Sequence, residues 1–143
     1  MVLRSTIQNK LDNVLLPYGI TSHHLRRVDV DKINVGGRAV AVNKDEYVVF
    51  RIVSSRNKHG DGKPKISRRF VDVNYYYSYD KTDARFEDVE KRIKAIKAAF
   101  LSDNAFTLAN DESDLYDLDN PYRGINVEFM FAGVYDNVDE NDS

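Results

Sequence analysis

The chain has no cysteine among its 143 residues, so it forms no disulfide, zinc–thiolate site or catalytic thiol. No apolar run approaches the roughly 20 residues that a membrane-spanning helix needs. The first ten residues, MVLRSTIQNK, lack the apolar core of a secretory signal. These absences are typical of a protein that assembles in a reducing cytoplasm, and we expect this protein to do so.

Familiar catalytic and ligand-binding motifs are missing as well. No serine lies in a G-x-S-x-G elbow, and NVGGRAV (34–40) lacks the Lys-Ser/Thr of a phosphate loop, so it predicts a turn. His23 and His24 are adjacent, and neighbouring side chains point apart, so the pair does not chelate one metal. The acidic stretch NDESDLYDLDN (110–120) departs from EF-hand spacing. We therefore expect no metal, no cofactor and no enzymatic activity, with a carboxylate site around Asp111 to Asp119 as the enzymatic alternative.

The composition is that of one folded domain. Hydrophobic residues make up 42% of the chain, enough for a packed interior, and charged residues make up 31%. We expect a single domain over residues 1–136. The remainder, NVDENDS (137–143), is expected to be a flexible acidic tail.

Charge is divided unevenly along the chain. Met1 to Arg69 holds 14 Lys or Arg against 6 Asp or Glu, and Phe70 to Ser143 holds 7 against 17. Such asymmetry is typical of a half that faces a polyanion. It is equally typical of subunits whose positive side meets the negative side of the next copy. A third reading is that the charges lie where folding permits and carry no function.

The N-terminal segment STIQNKLDNVLLPYG (5–19) predicts a helix. Ser5 or Thr6 is the expected N-cap, and Pro17 and Gly19 are expected to end the helix. Apolar residues recur at three- and four-residue spacing, which predicts one buried stripe. The stripe consists of Leu3, Ile7, Leu11, Val14 and Leu15.

A second, longer helix is predicted from about Ala84 to Leu101. Asp83 is placed to accept hydrogen bonds from the exposed amides at its start. The apolar residues again share one face. They are Phe86, Val89, Ile93, Ile96 and Phe100.

Three segments predict strands. EYVVFRIVSS (46–55) is apolar on both faces, which indicates a central strand covered on both sides. RRFVDVNYYYSYD (68–80) alternates, so Tyr75, Tyr77 and Tyr79 are expected in the core or at a subunit interface and Tyr76 on the polar face. INVEFMFAGVYD (125–136) predicts the last strand.

The remaining segments are less regular. ITSHHLRRVDVDKINV (20–35) predicts an extended connection with some strand character. NAFTLANDESDLYDLDNPYRG (104–124) predicts an acidic, turn-rich loop with a short strand at Phe106 and Leu108. The elements together predict an α+β domain, with a mainly antiparallel sheet and an N-terminal helix and a long amphipathic helix packed on its apolar face.

A basic stretch, SSRNKHGDGKPKISRR (54–69), lies between the two long strands. It carries six Lys or Arg against one Asp, and HGDGKP at its centre is incompatible with a helix or a regular strand. We expect a long β-hairpin arm here that presents its cations to a partner. They are Arg56, Lys58, Lys63, Lys65, Arg68 and Arg69.

The order of elements resembles the tail terminator, or tail completion, proteins of long-tailed bacteriophages. The family includes the tail terminator of phage lambda and the tail-to-head joining proteins of siphophages of Gram-positive hosts. The resemblance covers roughly Leu3 to Tyr135. It rests on element order, on element lengths and on the strand–turn–helix passage around Tyr75 to Phe100.

The resemblance implies a structural virion protein that forms a hexameric ring. The ring would cap the last ring of the tail tube, end its growth and offer a surface to the head. The implied partners are further copies, the tube protein, the head completion or connector protein, and genomic DNA passing through the channel. The resemblance also implies assembly in the cytoplasm of the host bacterium and a final location at the head–tail junction of the virion.

Site residues and alternatives follow from this reading. In a ring, the basic arm would meet a neighbouring subunit, the tube or DNA in the lumen. The candidates for the subunit interface are Tyr76, Asp114, Asp117 and Asp119. One alternative is a head-closure, neck or tail-tube protein of the same virion. Another is a small nucleic-acid-binding module that uses the basic loop at 56–69.

Overall fold

The computed structural model describes residues 3–54, 69–115 and 121–132. Two helices and one short 3-10 turn are present in these ranges, together with seven strands. The helical elements are α1 (Leu3–Leu15), the 3-10 turn (Leu16–Tyr18) and α2 (Phe86–Leu101). The strands are β1 (Thr21–His24), β2 (Lys32–Val35), β3 (Arg38–Ala41), β4 (Glu46–Ser54), β5 (Arg69–Tyr77), β6 (Phe106–Leu115) and β7 (Arg123–Phe131).

Five strands form the main sheet, in the order β1-β4-β5-β7-β6. β1 is parallel to β4, and the other three pairings are antiparallel. The fold is therefore α+β with a mainly antiparallel sheet, as the sequence predicts. β2 and β3 form a separate hairpin whose turn is Gly36–Gly37. Both glycines have positive φ values, 59° and 84°, so NVGGRAV is a turn as expected.

Both helices pack on the same face of the sheet. The buried stripe of α1 is Leu3, Ile7, Leu11 and Leu15, and that of α2 is Val89, Ile93, Ile96 and Phe100. These residues meet the inward-facing residues of the strands in one core. The Phe100 ring stacks on Phe129 of β7, with centroids 4.4 Å apart. Each such fully buried side chain contributes about 1.5–3 kcal/mol relative to exposure, so this layer is the main source of stability.

The strict alternation in β5 is confirmed. Its nine residues alternate between buried and half-buried from Arg69 to Tyr77. Tyr75 and Tyr77 are each 1% exposed and Tyr79 is 6% exposed, so these three rings belong to the core. β4 is a central strand, between β1 and β5. The expected cover on both sides of β4 is found at its start, where Tyr47 is 7% exposed on the face opposite the helices. Farther along that face, Val49 is half-buried and Arg51 is exposed.

The predicted helix starts need correction. α1 already includes Leu3 and Arg4, so Ser5 and Thr6 lie inside the helix and do not cap it. Leu3 is fully buried, and this packing extends the helix beyond the best capping residues. At α2, Asp83 does accept a backbone hydrogen bond, from the Arg85 amide at 2.9 Å. That amide belongs to the turn just before the helix, which begins at Phe86.

The largest error concerns the acidic segment after α2. Residues 106–115 were predicted to be mostly loop, but they form the ten-residue edge strand β6, antiparallel to β7. The register shifts between Leu108 and Asn110 and again between Asn110 and Ser113. Period-two alternation is absent because residues on both faces of β6 are exposed. β6 forms because its backbone pairs with the backbone of β7, and the hydrophobic pattern of the sequence does not reveal this pairing.

Three short strands are also absent from the predicted element order. Thr21–His24, expected as an extended connection with some strand character, is the parallel strand β1. β2 and β3 lie around the predicted glycine turn. The predicted acidic tail, 137–143, lies outside the described residues.

Candidate assembly surfaces

A buried charge cluster joins the sheet to α2. Glu46, at the start of β4, accepts hydrogen bonds from the hydroxyls of Tyr75 and Tyr79 and from Nη1 of Arg92 at 2.7 Å. Burial and the adjacent Glu46 carboxylate raise the pKa of both phenols well above the usual range, so they remain donors. The Arg92 guanidinium also lies 4.7 Å from the ring centroid of Tyr18. The cluster holds β4, β5, α2 and the 3-10 turn together.

Sequence reasoning assigned no role to Glu46 or Arg92. The two residues are 46 positions apart, so no local spacing connects them. The sequence did contain a signal. In a strand, Glu46 points to the same side as Val48 and Phe50, which face the core. A carboxylate that faces the core needs a buried partner. The cluster is a structural joint, because its donors and acceptors already satisfy one another.

His23 organises the segment that follows β1. Its Nδ1 accepts from the Val28 backbone amide at 3.3 Å, and its Nε2 lies 2.7 Å from Oγ1 of Thr21. Leu25 adopts a φ of 71°, which is strained for a side chain of this size. Leu25 is 49% exposed and Val28 is 57% exposed. This segment therefore presents two apolar side chains to solvent on a backbone held by hydrogen bonds.

Tyr76, predicted as an interface residue, lies in an aromatic cluster on the sheet face opposite the helices. Its ring stacks on Tyr47 with centroids 4.9 Å apart, and Tyr122 meets Tyr47 edge-on at 5.0 Å. Arg27 covers the outer side of Tyr47, with its guanidinium carbon 4.3 Å from the ring centroid. Tyr76 is therefore on the predicted face but half-buried by its own domain.

Polar side chains lie on the same face, farther along β5 and β7. Asn126 Nδ2 donates to Asn74 Oδ1 at 2.8 Å. Asp72 and Glu128 are direct cross-strand partners. Burial and the adjacent Asp72 carboxylate raise the pKa of Glu128. Arg51 balances part of this negative charge through an Nε–Oδ2 contact of 3.4 Å with Asp72.

The acids of β6 are held by one lysine of α2 and one lysine of the turn between β5 and α2. Lys97 of α2 contacts Asp111 at 3.1 Å and Glu112 at 2.6 Å. Lys81 contacts both carboxylate oxygens of Asp114 at 2.7 Å. Asp114, a predicted interface residue, thus lies on the exposed edge strand but is paired within its own subunit. Asp117 and Asp119 lie outside the described residues.

The two edges of the sheet differ. At the β1 edge, Gln8 of α1 donates to the Ser22 carbonyl at 3.1 Å, so the helix covers this strand. A groove of about 330 Å³ lies beside it, lined by Arg4, Ser5, Gln8, Asn9 and His24. At the β6 edge, eight of the ten residues are exposed.

The basic arm is only partly described. Arg69 is the first residue of β5, pairs with Ser54 and Phe131, and is 6% exposed. Its assignment to the projecting arm is therefore wrong, because the sheet extends as far as Arg69 and buries its side chain. The other proposed arm cations lie outside the described residues: Arg56, Lys58, Lys63, Lys65 and Arg68.

No metal-binding group is found in residues 3–54, 69–115 and 121–132: none of their His, Asp and Glu side chains form a suitable group of three. In the same ranges, no helix has the length and apolarity to cross a membrane. In comparisons with known proteins, no protein-family model matches the chain and no curated protein matches it.

Proposed function

We propose that this protein is a tail terminator of a long-tailed bacteriophage. It forms a ring, of six copies by the family resemblance, on the end of the tail tube, stops further growth and provides the surface that joins tail to head. It acts through shape and charge and not as an enzyme.

The observation that carries the proposal is the passage from β5 into α2. β5 leads through residues 78–85 into a long helix that packs with α1 on one face of a mainly antiparallel sheet. The strand–turn–helix passage is one of the features on which the resemblance to the tail terminator family rests. The unlike edges of the sheet add support, since a closed ring of identical subunits needs two different surfaces on each copy.

Electron microscopy of tail tubes tests the proposal. The tube protein of the same virus would be polymerised with and without the purified chain. We expect tubes grown with the chain to stop elongating and to carry a ring at one end. Tubes that elongate equally in both samples and show bare ends would contradict the proposal.

Two controls separate the alternatives. A head-closure protein would bind isolated head connectors and leave tube length unchanged. A nucleic-acid-binding module would bind duplex DNA as an isolated chain, with an affinity that falls steeply with salt. The tail terminator proposal expects ring formation at tube ends to be independent of added DNA.

A further inference from the structure

The opposite edges of the main sheet carry opposite charge. The strand order places β1 at one end of the sheet and β6 at the other. We call Asp111, Glu112, Ser113 and Asp114 of β6 the acidic edge. We call the groove between α1 and β1, together with Leu25 and Arg26, the basic edge. Edges of opposite charge favour a head-to-tail contact between identical copies over a contact between like edges.

The acidic edge is open to a partner. Within the described residues β6 pairs only with β7, and the side chains of Asp111, Glu112 and Asp114 are 61%, 43% and 39% exposed. The Glu112 amide and Lys97 hold the pKa of Asp111 below its usual range, so this carboxylate stays ionised. Leu108, on the same strand, is 38% exposed. Three carboxylates against the two lysines that contact them, Lys97 and Lys81, leave this strip with a net negative charge and an apolar neighbour.

The basic edge has the complementary character. Arg26 is exposed, and Arg4 lines the groove beside β1. Leu25, 49% exposed, is held at a positive φ by the bond from its amide to the Phe50 carbonyl at 2.9 Å. The exposed apolar side chain of Leu25 thus lies on a hydrogen-bonded backbone, directly before Arg26 in the chain. Exposed apolar groups rimmed by charge are typical of protein interaction sites.

We infer that the acidic edge of one copy docks on the basic edge of the next. This inference rests on the proposed ring and says which surfaces form its subunit interface. Opposite charges attract across this contact, while two acidic or two basic edges repel each other. Leu108 and Leu25 supply apolar area on the two sides. Head-to-tail contacts between unlike surfaces generate rings when the rotation closes.

Single-cysteine cross-linking tests this contact, because the natural chain has no cysteine. Ser5→Cys marks the basic edge and Ser113→Cys marks the acidic edge, and both changes are nearly isosteric at exposed positions. We expect a short bismaleimide to give covalent dimers when the two full-length variants are mixed. Each variant alone should give none, since like edges do not meet.

The controls use the exposed β2–β3 hairpin. Ala39→Cys mixed with Ser113→Cys should give no dimer. In the mixture of edge variants, Arg26→Glu on the Ser5→Cys chain should lower the dimer yield about tenfold. Arg38→Glu, the same charge change on the hairpin, should leave the yield unchanged.

Each outcome decides the matter. The edge contact would be overturned by any of three results. These are dimers from a single variant alone, a dimer yield with Ala39→Cys equal to that with Ser5→Cys, or no dimer in the mixture of Ser5→Cys and Ser113→Cys. Rings on tube ends without the cross-link would overturn the contact and leave the proposed function standing. Cross-linked copies that never cap a tube would support the contact and overturn the proposed function.

Discussion

The backbone amide of Val28 donates to Nδ1 of His23 at 3.3 Å, and this bond determines the tautomer of the imidazole. Since Nδ1 accepts, the proton lies on Nε2, which donates to Oγ1 of Thr21 at 2.7 Å. Burial, and secondarily the charge of Arg27, lower the pKa of His23. The neutral ring therefore holds the exposed segment after β1 in place.

The first prediction concerns pH. The His23 contribution to the free energy of unfolding should be fully present above the ordinary histidine pKa of 6.5 and be lost as the pH falls through the lowered folded-state value. The sign follows because the unfolded chain binds the proton more readily. His23→Asn, whose amide oxygen can accept from Val28, should remove this part of the pH dependence. Chemical denaturation at several pH values measures it, and identical pH slopes for both proteins would contradict it.

The second prediction concerns the buried pair of Glu46 and Arg92. The side chains are 4% and 15% exposed, so removing one partner leaves an uncompensated charge in the core. Glu46→Gln should lower the free energy of unfolding by about 3–5 kcal/mol. Arg51→Met, which breaks the contact between Arg51 (61% exposed) and Asp72, should cost less than about 1 kcal/mol. Equal costs for the two variants in urea denaturation would show that Glu46 is not the joint described above.

The third prediction concerns Gly124, where β7 passes under Leu115. A Cβ at this position would lie 2.6 Å from Cδ1 of Leu115 and 3.2 Å from Cε1 of Tyr76. Gly124→Ala should therefore destabilise the protein by about 1–3 kcal/mol through overpacking. Adding Leu115→Ala should recover part of this loss, because it removes the closest atom. Strictly additive costs in the double-mutant cycle would show that the contact with Leu115 is not the cause.

The fourth prediction concerns the basic stretch between β4 and β5. Replacing Lys63, Lys65 and Arg68 with Ser should change the free energy of unfolding by less than about 1 kcal/mol, because the sequence predicts a projecting arm here and exposed charges contribute little. The same variant should cap tubes poorly or give fewer joined virions. Arg69→Ser should instead destabilise the fold, because Arg69 is buried in β5. A large loss of melting temperature in the triple variant would show that these cations pack on their own domain.

Periodicity was sufficient to identify the elements that bury a regular face. The stripes of α1 and α2 and the alternation of β5 and β7 recur with the period of their element, so the core was largely predictable. The same pattern placed Tyr75, Tyr77 and Tyr79 on the face that packs against the long helix, and the structure shows that they are buried there. The α+β class follows from the order of these elements.

Tertiary structure alone decided the remaining features. β6 is a strand because β7 offers it a free backbone edge, and its acids are exposed on both faces and so carry no pattern. Glu46 and Arg92 meet only when α2 packs on the sheet, and Arg69 leaves the predicted arm because the sheet continues as far as its position. Local sequence determined which face of each element is apolar. The pairing of distant backbones decided where the strands end and which charges face each other, since those contacts join residues far apart in the chain.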